Sequence, residues 1–134
     1  MAQNIDHSMH TSITPWLTFV NCAKAVEFYK KAFNASEDYR LETPDGGLVV
    51  KLSINGAEFW LSNGSDENKN PEAVGGKTVR MILTVQDPFP IFERALKAGA
   101  TEVFPIGEEH GWRLGRIVDP FGLHWEIGHP INSQ

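Results

Sequence analysis

The amino-acid sequence predicts a single α+β domain built from two βαβββ modules, and three observations carry that reading. The chain has 134 residues, one domain's worth, enough to bury roughly two thirds of its unfolded surface in one core. Strand and helix periodicities run in the order strand, helix, three strands, and then repeat in the same order. Turn residues also fall at matching places in the two halves. Asn34-Ala35-Ser36 aligns with Gly99-Ala100-Thr101, and Asn55-Gly56 aligns with Phe121-Gly122.

The first module covers residues 13–62. Residues 13–20 are rich in β-formers, with Pro15 near the start and Asn21 just beyond the end, and read as a strand. Over residues 22–33, Ala25, Val26, Tyr29, Ala32 and Phe33 recur at helical spacing, while Lys24, Glu27, Lys30 and Lys31 take the other side. This predicts an amphipathic helix that Asn34 ends in the left-handed conformation. Strands follow at 36–43, 48–54 and 57–62, with Asp45-Gly46 and Asn55-Gly56 as the hairpin turns.

Residues 63–76 are polar and carry Gly64, Pro71, Gly75 and Gly76, the composition of a connector. The second module covers residues 77–129. A strand at 78–85 precedes Asp87-Pro88, a helix cap with proline in the first turn. Phe89, Phe92, Ala95 and Leu96 form the apolar stripe of a helix that Gly99 terminates. Strands at 101–106, 113–118 and 124–127 complete it, the last two joined by Asp119-Pro120-Phe121-Gly122.

Composition narrows the functional classes. With 41% hydrophobic and 22% charged residues the chain is ordinary globular protein, and its formal net charge of -5 lacks the basic footprint that a nucleic acid partner requires. No run of about 18 apolar residues offers a membrane span, and residues 1–12 hold no apolar stretch of signal-peptide length, so the expected compartment is the cytoplasm. A single cysteine, Cys22, excludes an intrachain disulfide and a multi-thiolate zinc site. Its place near a helix start would favour a thiolate, but with no histidine partner placed beside it, it reads as a small core side chain. Phosphate-cradling glycine loops, Gly-x-Ser-x-Gly and Cys-x-x-Cys are absent from the sequence.

Two motifs bring in a family. Ala25-Val26-Glu27-Phe28-Tyr29 in the first helix, and Gly115-Arg116-Ile117-Val118-Asp119-Pro120-Phe121-Gly122 running on through His124-Trp125-Glu126-Ile127, resemble the vicinal oxygen chelate superfamily. That superfamily includes glyoxalase I, extradiol dioxygenases and bleomycin-resistance proteins, and the chain is most similar to its PhnB-like branch over residues 13–129. The resemblance implies that each module curls into a half-open cup and that the pair forms an eight-stranded mixed-sheet cleft. It also implies a homodimer, side by side or with modules exchanged.

Metal-using members of the superfamily place up to four His or Glu ligands, one on the first and one on the last strand of each module. The matching positions here, within one residue, are Pro15, Trp60, Arg80 and Glu126. Proline and tryptophan offer no useful lone pair, and an arginine repels a divalent cation, which leaves Glu126 alone. The expectation is therefore no metal cofactor. The alternative is a divalent metal ion held by Glu126 and His124, which are two apart on a strand and face one way, joined by His110, His7 or His10.

A cleft without a metal is suited to binding a small organic molecule. The expected ligand-binding residues are Trp16, Trp60, Arg80, Trp112, Arg113 and Glu126. The first two tryptophans offer flat faces to an aromatic or cationic group, Arg80 can take a carboxylate or phosphate, and Glu126 accepts hydrogen bonds. Trp112 and Arg113 stand as a rim, and the acidic balance of the chain suits a cationic guest. Against this stands a structural reading, in which Arg80 and Glu126 are an ion pair between strands and the tryptophans fill core. A third class is metal-free catalysis, with Glu126 as general base and Arg80 holding an oxyanion. The reading favoured is a small-molecule-binding protein with no catalytic residues assigned. Its alternative is a metal-dependent lyase, isomerase or dioxygenase of the same superfamily.

Overall fold

The computed structural model describes residues 11–64 and 79–131; His7, His10 and connector residues 65–76 lie outside them. The first module contains β1 (Trp16–Phe19), α1 (Cys22–Phe33), β2 (Ser36–Glu42), β3 (Leu48–Ile54) and β4 (Ala57–Asn63). The second contains β5 (Arg80–Thr84), α2 (Pro88–Ala98), β6 (Thr101–Glu109), β7 (Trp112–Val118) and β8 (His124–Pro130). The order βαβββ thus occurs twice, as the periodicities predict. The eight strands lie in two four-stranded mixed sheets, ordered β1-β4-β3-β2 and β5-β8-β7-β6. In each sheet the first strand runs parallel to the last, and the other pairings are antiparallel. Among the described residues no helix is long and apolar enough to cross a membrane.

Local chemistry sets the element ends. The Asn21 side chain accepts from Lys24 N at the start of α1, and Asn34 ends the helix in the left-handed region at φ 59°. Asp87 caps α2 in the same way, accepting from Phe89 N. Asn55 and Gly56 have φ 53° and 93°, the two-residue turn that closes Ile54 onto Ala57.

A second turn of this kind, His110-Gly111 at φ 52° and 83°, joins Glu109 to Trp112. It lengthens β6 and β7 beyond the predicted strands, and β8 runs on to Pro130 opposite Trp112. His110 is therefore a turn residue. Its side chain is exposed beside Glu109, at a hairpin tip several residue pairs along β7 from the Arg116–Glu126 pair.

The helices face each other and the sheets flank them. Cys22, Ala25, Val26, Tyr29, Ala32 and Phe33 of α1 are buried together with Phe92 and Ala95 of α2. Arg94 donates to the Lys31 carbonyl across the pair at 3.2 Å. Gly115 of β7 makes room for α2, since a Cβ there would lie 2.7 Å from the Phe92 ring. Aromatic rings of the second module enter the core of the first. Trp125 lies 4.7 Å from Phe33 and 5.5 Å from Tyr29, and Phe121 lies 5.3 Å from Phe19, all between ring centroids.

One buried carboxylate ties these parts together. Asp119 is 3% exposed and accepts four hydrogen bonds. Tyr29 Oη (2.5 Å) and Trp125 Nε1 (3.0 Å) donate to Oδ2, and the backbone N–H groups of Phe121 and Leu123 (3.0 Å each) donate to Oδ1. Burial pushes the Asp119 carboxyl above the usual aspartate range, and the four donors pull the other way. Because Tyr29 belongs to the first module and the other donors to the second, truncating Asp119 strands donors on both sides of the seam.

Asp119→Ala is expected to lose about 3 kcal/mol or more in urea unfolding, and Tyr29→Phe about 2 kcal/mol. A loss below about 1 kcal/mol in Asp119→Ala would show that the modules are held by packing alone.

Candidate functional site

Each sheet turns one face to the helices and the other outward, where the family resemblance expects a cup, because successive residues on a strand alternate sides. In the first sheet Leu17, Phe19, Val50, Leu52, Phe59 and Leu61 point to the core. Their neighbours form a row across the cup, with Trp16 opposite Trp60, Trp60 opposite Lys51, and Lys51 opposite Tyr39. The two indoles stack at 5.4 Å with 17° between planes. Tyr39 meets Trp60 edge-on at 5.6 Å, and Lys51 Nζ lies 5.3 Å from the centre of the Trp60 ring. Trp16 is 54% exposed, yet its Nε1 donates to Ser62 Oγ at 2.9 Å, which fixes the ring.

The second sheet repeats the arrangement with different chemistry. Ile82 lies opposite Glu126, Glu126 opposite Arg116, and Arg116 opposite Phe104. Trp16 and Ile82 are therefore the paired positions on the first strands. Arg80 is one pleat away, opposite His124, and reaches Glu126 diagonally, with Arg80 Nε 3.0 Å from Oε2. The ion pair of the structural reading, the alternative to a binding site, is thus formed. It has a third member that sequence reading passed over, because Arg116 Nη1 lies 4.0 Å from the same oxygen and Arg116 Nε donates to His124 Nδ1 at 3.1 Å.

The six expected binding residues separate into groups. Trp16 and Trp60 share the first cup, and Arg80 and Glu126 share the second. Among the described residues no hydrogen bond, ion pair or ring contact joins the two groups. Trp112 and Arg113 are neighbours on β7 and so point to opposite faces. Trp112 shares the side of Arg116, while Arg113 pairs with Glu108 at 2.6 Å. Hollows of about 300 and 440 Å³ run along the seam between modules and share Ile54, Asn55, Val85 and Gln86; none of the six residues lines them. Cys22 is buried in the core and its thiol is pushed up to about 11 by burial, which suits packing and not nucleophilic work.

Lys51, Arg116 and Tyr39 are the cup residues that the sequence reading missed. For the two cations the available signal was a charge among apolar strand residues, Lys51 in Leu48–Ile54 and Arg116 beside Ile117 and Val118 in Trp112–Val118.

The donor set does not fit a divalent metal. Glu126 faces two guanidinium groups, and any cation bound to it would meet both. His124 Nδ1 accepts from Arg116, so the neutral ring carries its proton on Nε2 and presents no free lone pair. Among the described residues no group of three or more His, Cys, Asp or Glu side chains is placed to hold a metal ion.

Burial, with help from Arg116, lowers the His124 pKa from its ordinary 6.5. Folded His124 thus binds its proton less tightly than the unfolded chain does. Its contribution to stability is full above the ordinary imidazole value and is lost as pH falls through the lowered one. An NMR titration of the His124 ring should show a midpoint below 6.5 that rises in Arg116→Gln. A midpoint unmoved by that substitution would sever His124 from Arg116.

Comparison with known proteins agrees with the geometry. Residues 5–127 match the model of the Glyoxalase/Bleomycin resistance protein/Dioxygenase superfamily. An uncharacterized protein of Mycobacterium bovis is 38% identical over 140 residues, which cover 99% of this chain and 90% of that one. In fold the chain is similar to the PhnB protein of Bacillus cereus, with TM-score 0.69, 18% identity and coverage of 89% and 99% of the two chains. It is similar also to the fosfomycin resistance protein FosX of Listeria monocytogenes in complex with Mn(II) and sulfate ion, with TM-score 0.67, 14% identity and coverage of 90% and 93%. With its two βαβββ modules and a match along nearly its whole length, this chain belongs to the glyoxalase/bleomycin resistance protein/dioxygenase superfamily.

Proposed function

We propose that this chain binds a small organic molecule in its cups as a homodimer and does so without a divalent metal. The observation that carries the proposal is the state of Glu126, the one residue at the superfamily's ligand positions that can coordinate a metal. Its Oε2 lies 3.0 Å from Arg80 and 4.0 Å from Arg116. The carboxylate thus already has two cations beside it.

The first cup supplies the complementary feature. The Trp16–Trp60 stack, locked by Ser62 and flanked by Tyr39 and Lys51, is a rigid aromatic platform with one open side. Rigid indoles lose little freedom when a planar guest lands on them. Dimerisation is supported by the sheet edges. β1 and β5 are edge strands, and Ile13, Val79 and Ile82, on or just before them, are all about half exposed or more. A second copy laid on these edges would cover apolar surface and unpaired strand backbone together.

Elemental analysis of untagged protein purified without chelator should find no stoichiometric nickel, zinc, manganese or iron, and adding these ions should leave the melting temperature unchanged. Near-stoichiometric metal with a thermal shift would replace this reading with a metal-dependent lyase, isomerase or dioxygenase. For the platform, 8-anilinonaphthalene-1-sulfonate, through its flat naphthalene ring, should bind wild-type protein and lose about tenfold in affinity in Trp60→Ala with the fold intact. Equal affinity in the variant would remove Trp60 from the site.

A further inference from the structure

We infer that the second cup is an oxyanion site, in which Arg80 and Arg116 together hold a carboxylate, phosphate or phosphonate group of the bound molecule. The inference rests on the metal-free reading above and names the ligand chemistry that reading leaves open.

The charges in the cup do not cancel. Two arginines face one glutamate, and His124, accepting at Nδ1, is neutral, so one positive charge is left over. The chain as a whole is acidic, at -5, so this excess is local to the cup.

The donors are also unevenly used. Arg80 meets Glu126 through Nε, while its side chain is 50% exposed. Half of the side chain is thus open to solvent, and the planar fork of a guanidinium matches a carboxylate or phosphate edge. Arg116 spends Nε on His124 and turns Nη1 toward Glu126. Glu126, 15% exposed beneath them, holds both guanidinium groups in place and competes with any incoming anion for them.

That competition gives a result that separates this site from a metal site. Removing the negative charge of Glu126 should strengthen the binding of an oxyanion, whereas it would destroy a metal site. Inorganic phosphate, benzoate and phenylphosphonate are titrated separately into the full chain at low salt, with affinity read by calorimetry and folding checked by thermal melting. The three probes distinguish a free phosphate from a carboxylate and from a phosphonate carried on an aromatic body.

At least one probe should bind wild-type protein, weaken about tenfold in Arg80→Gln and in Arg116→Gln, and tighten in Glu126→Gln. Affinity should fall as salt is raised. Absence of binding by all three probes, affinity indifferent to Arg80→Gln, or weakening in Glu126→Gln overturns the inference. Arg80 is half exposed, so Arg80→Gln is expected to keep the fold, checked by thermal melting, and decides the matter even where Glu126→Gln unfolds. Failure here leaves the metal analysis untouched, whereas metal uptake lost in Glu126→Gln would defeat the metal-free reading itself.

Discussion

The Asp119 carboxylate, buried and met by four donors, is the constraint from which the rest of the molecule is set out. Two of its partners are backbone groups of its own turn, which fixes the loop between β7 and β8. A third, Trp125 Nε1, pins the second residue of β8 to the core side. Side chains on a strand alternate, so holding Trp125 inward turns His124 and Glu126 outward into the cup. The fourth, Tyr29, extends the same anchor to α1 of the other module. One carboxylate thereby sets the register of the strand that carries the site and the packing of the two halves.

The modules show how one scaffold can hold two kinds of surface. Their cup rows match position by position: Trp16 with Ile82, Trp60 with Glu126, Lys51 with Arg116, Tyr39 with Phe104. In each, a cation on the third strand of the module lies beside the position where relatives that use a metal place a ligand. In the first cup that cation lies over an indole, and in the second a guanidinium faces a carboxylate. Arginine suits the second role, since its fork can serve the histidine and the carboxylate at once. The net acidity of the chain pointed toward a cationic guest, but that inference averages over the whole surface. The local count in the second cup has the opposite sign, and a bound group responds to the local field.

Much of the fold was legible because its signals are local. Asn34, Asp87 and the Asn55-Gly56 pair act through their own backbone, so α1, α2 and one hairpin could be placed from short stretches of sequence. His110-Gly111 is harder to read because the strong signals for such a turn are Asn-Gly and Asp-Gly, and a histidine invites a metal reading instead. The site was half legible. Glu126 and Trp60 follow from the superfamily's motif positions, and the Arg80–Glu126 pair is one of the readings the sequence supports. Arg116 lay within the quoted motif, but its reach to His124 and Glu126 depends on the pairing of β7 with β8 and on their twist. The diagonal reach of Arg80, one pleat away from Glu126, depends likewise on the parallel register of β5 with β8. The separation of the tryptophans from the arginines is a property of two sheets, and no single strand carries it.

Crystallography in the presence of manganese tests most directly whether Arg80 and Arg116 take the place of a metal ion beside Glu126. Anomalous scattering from crystals grown with excess Mn(II) should show no peak at Glu126, with Arg80 and Arg116 still directed at its carboxylate. A peak within about 2.2 Å of the carboxylate oxygen, with His124 turned toward it and the arginines displaced, would contradict the account.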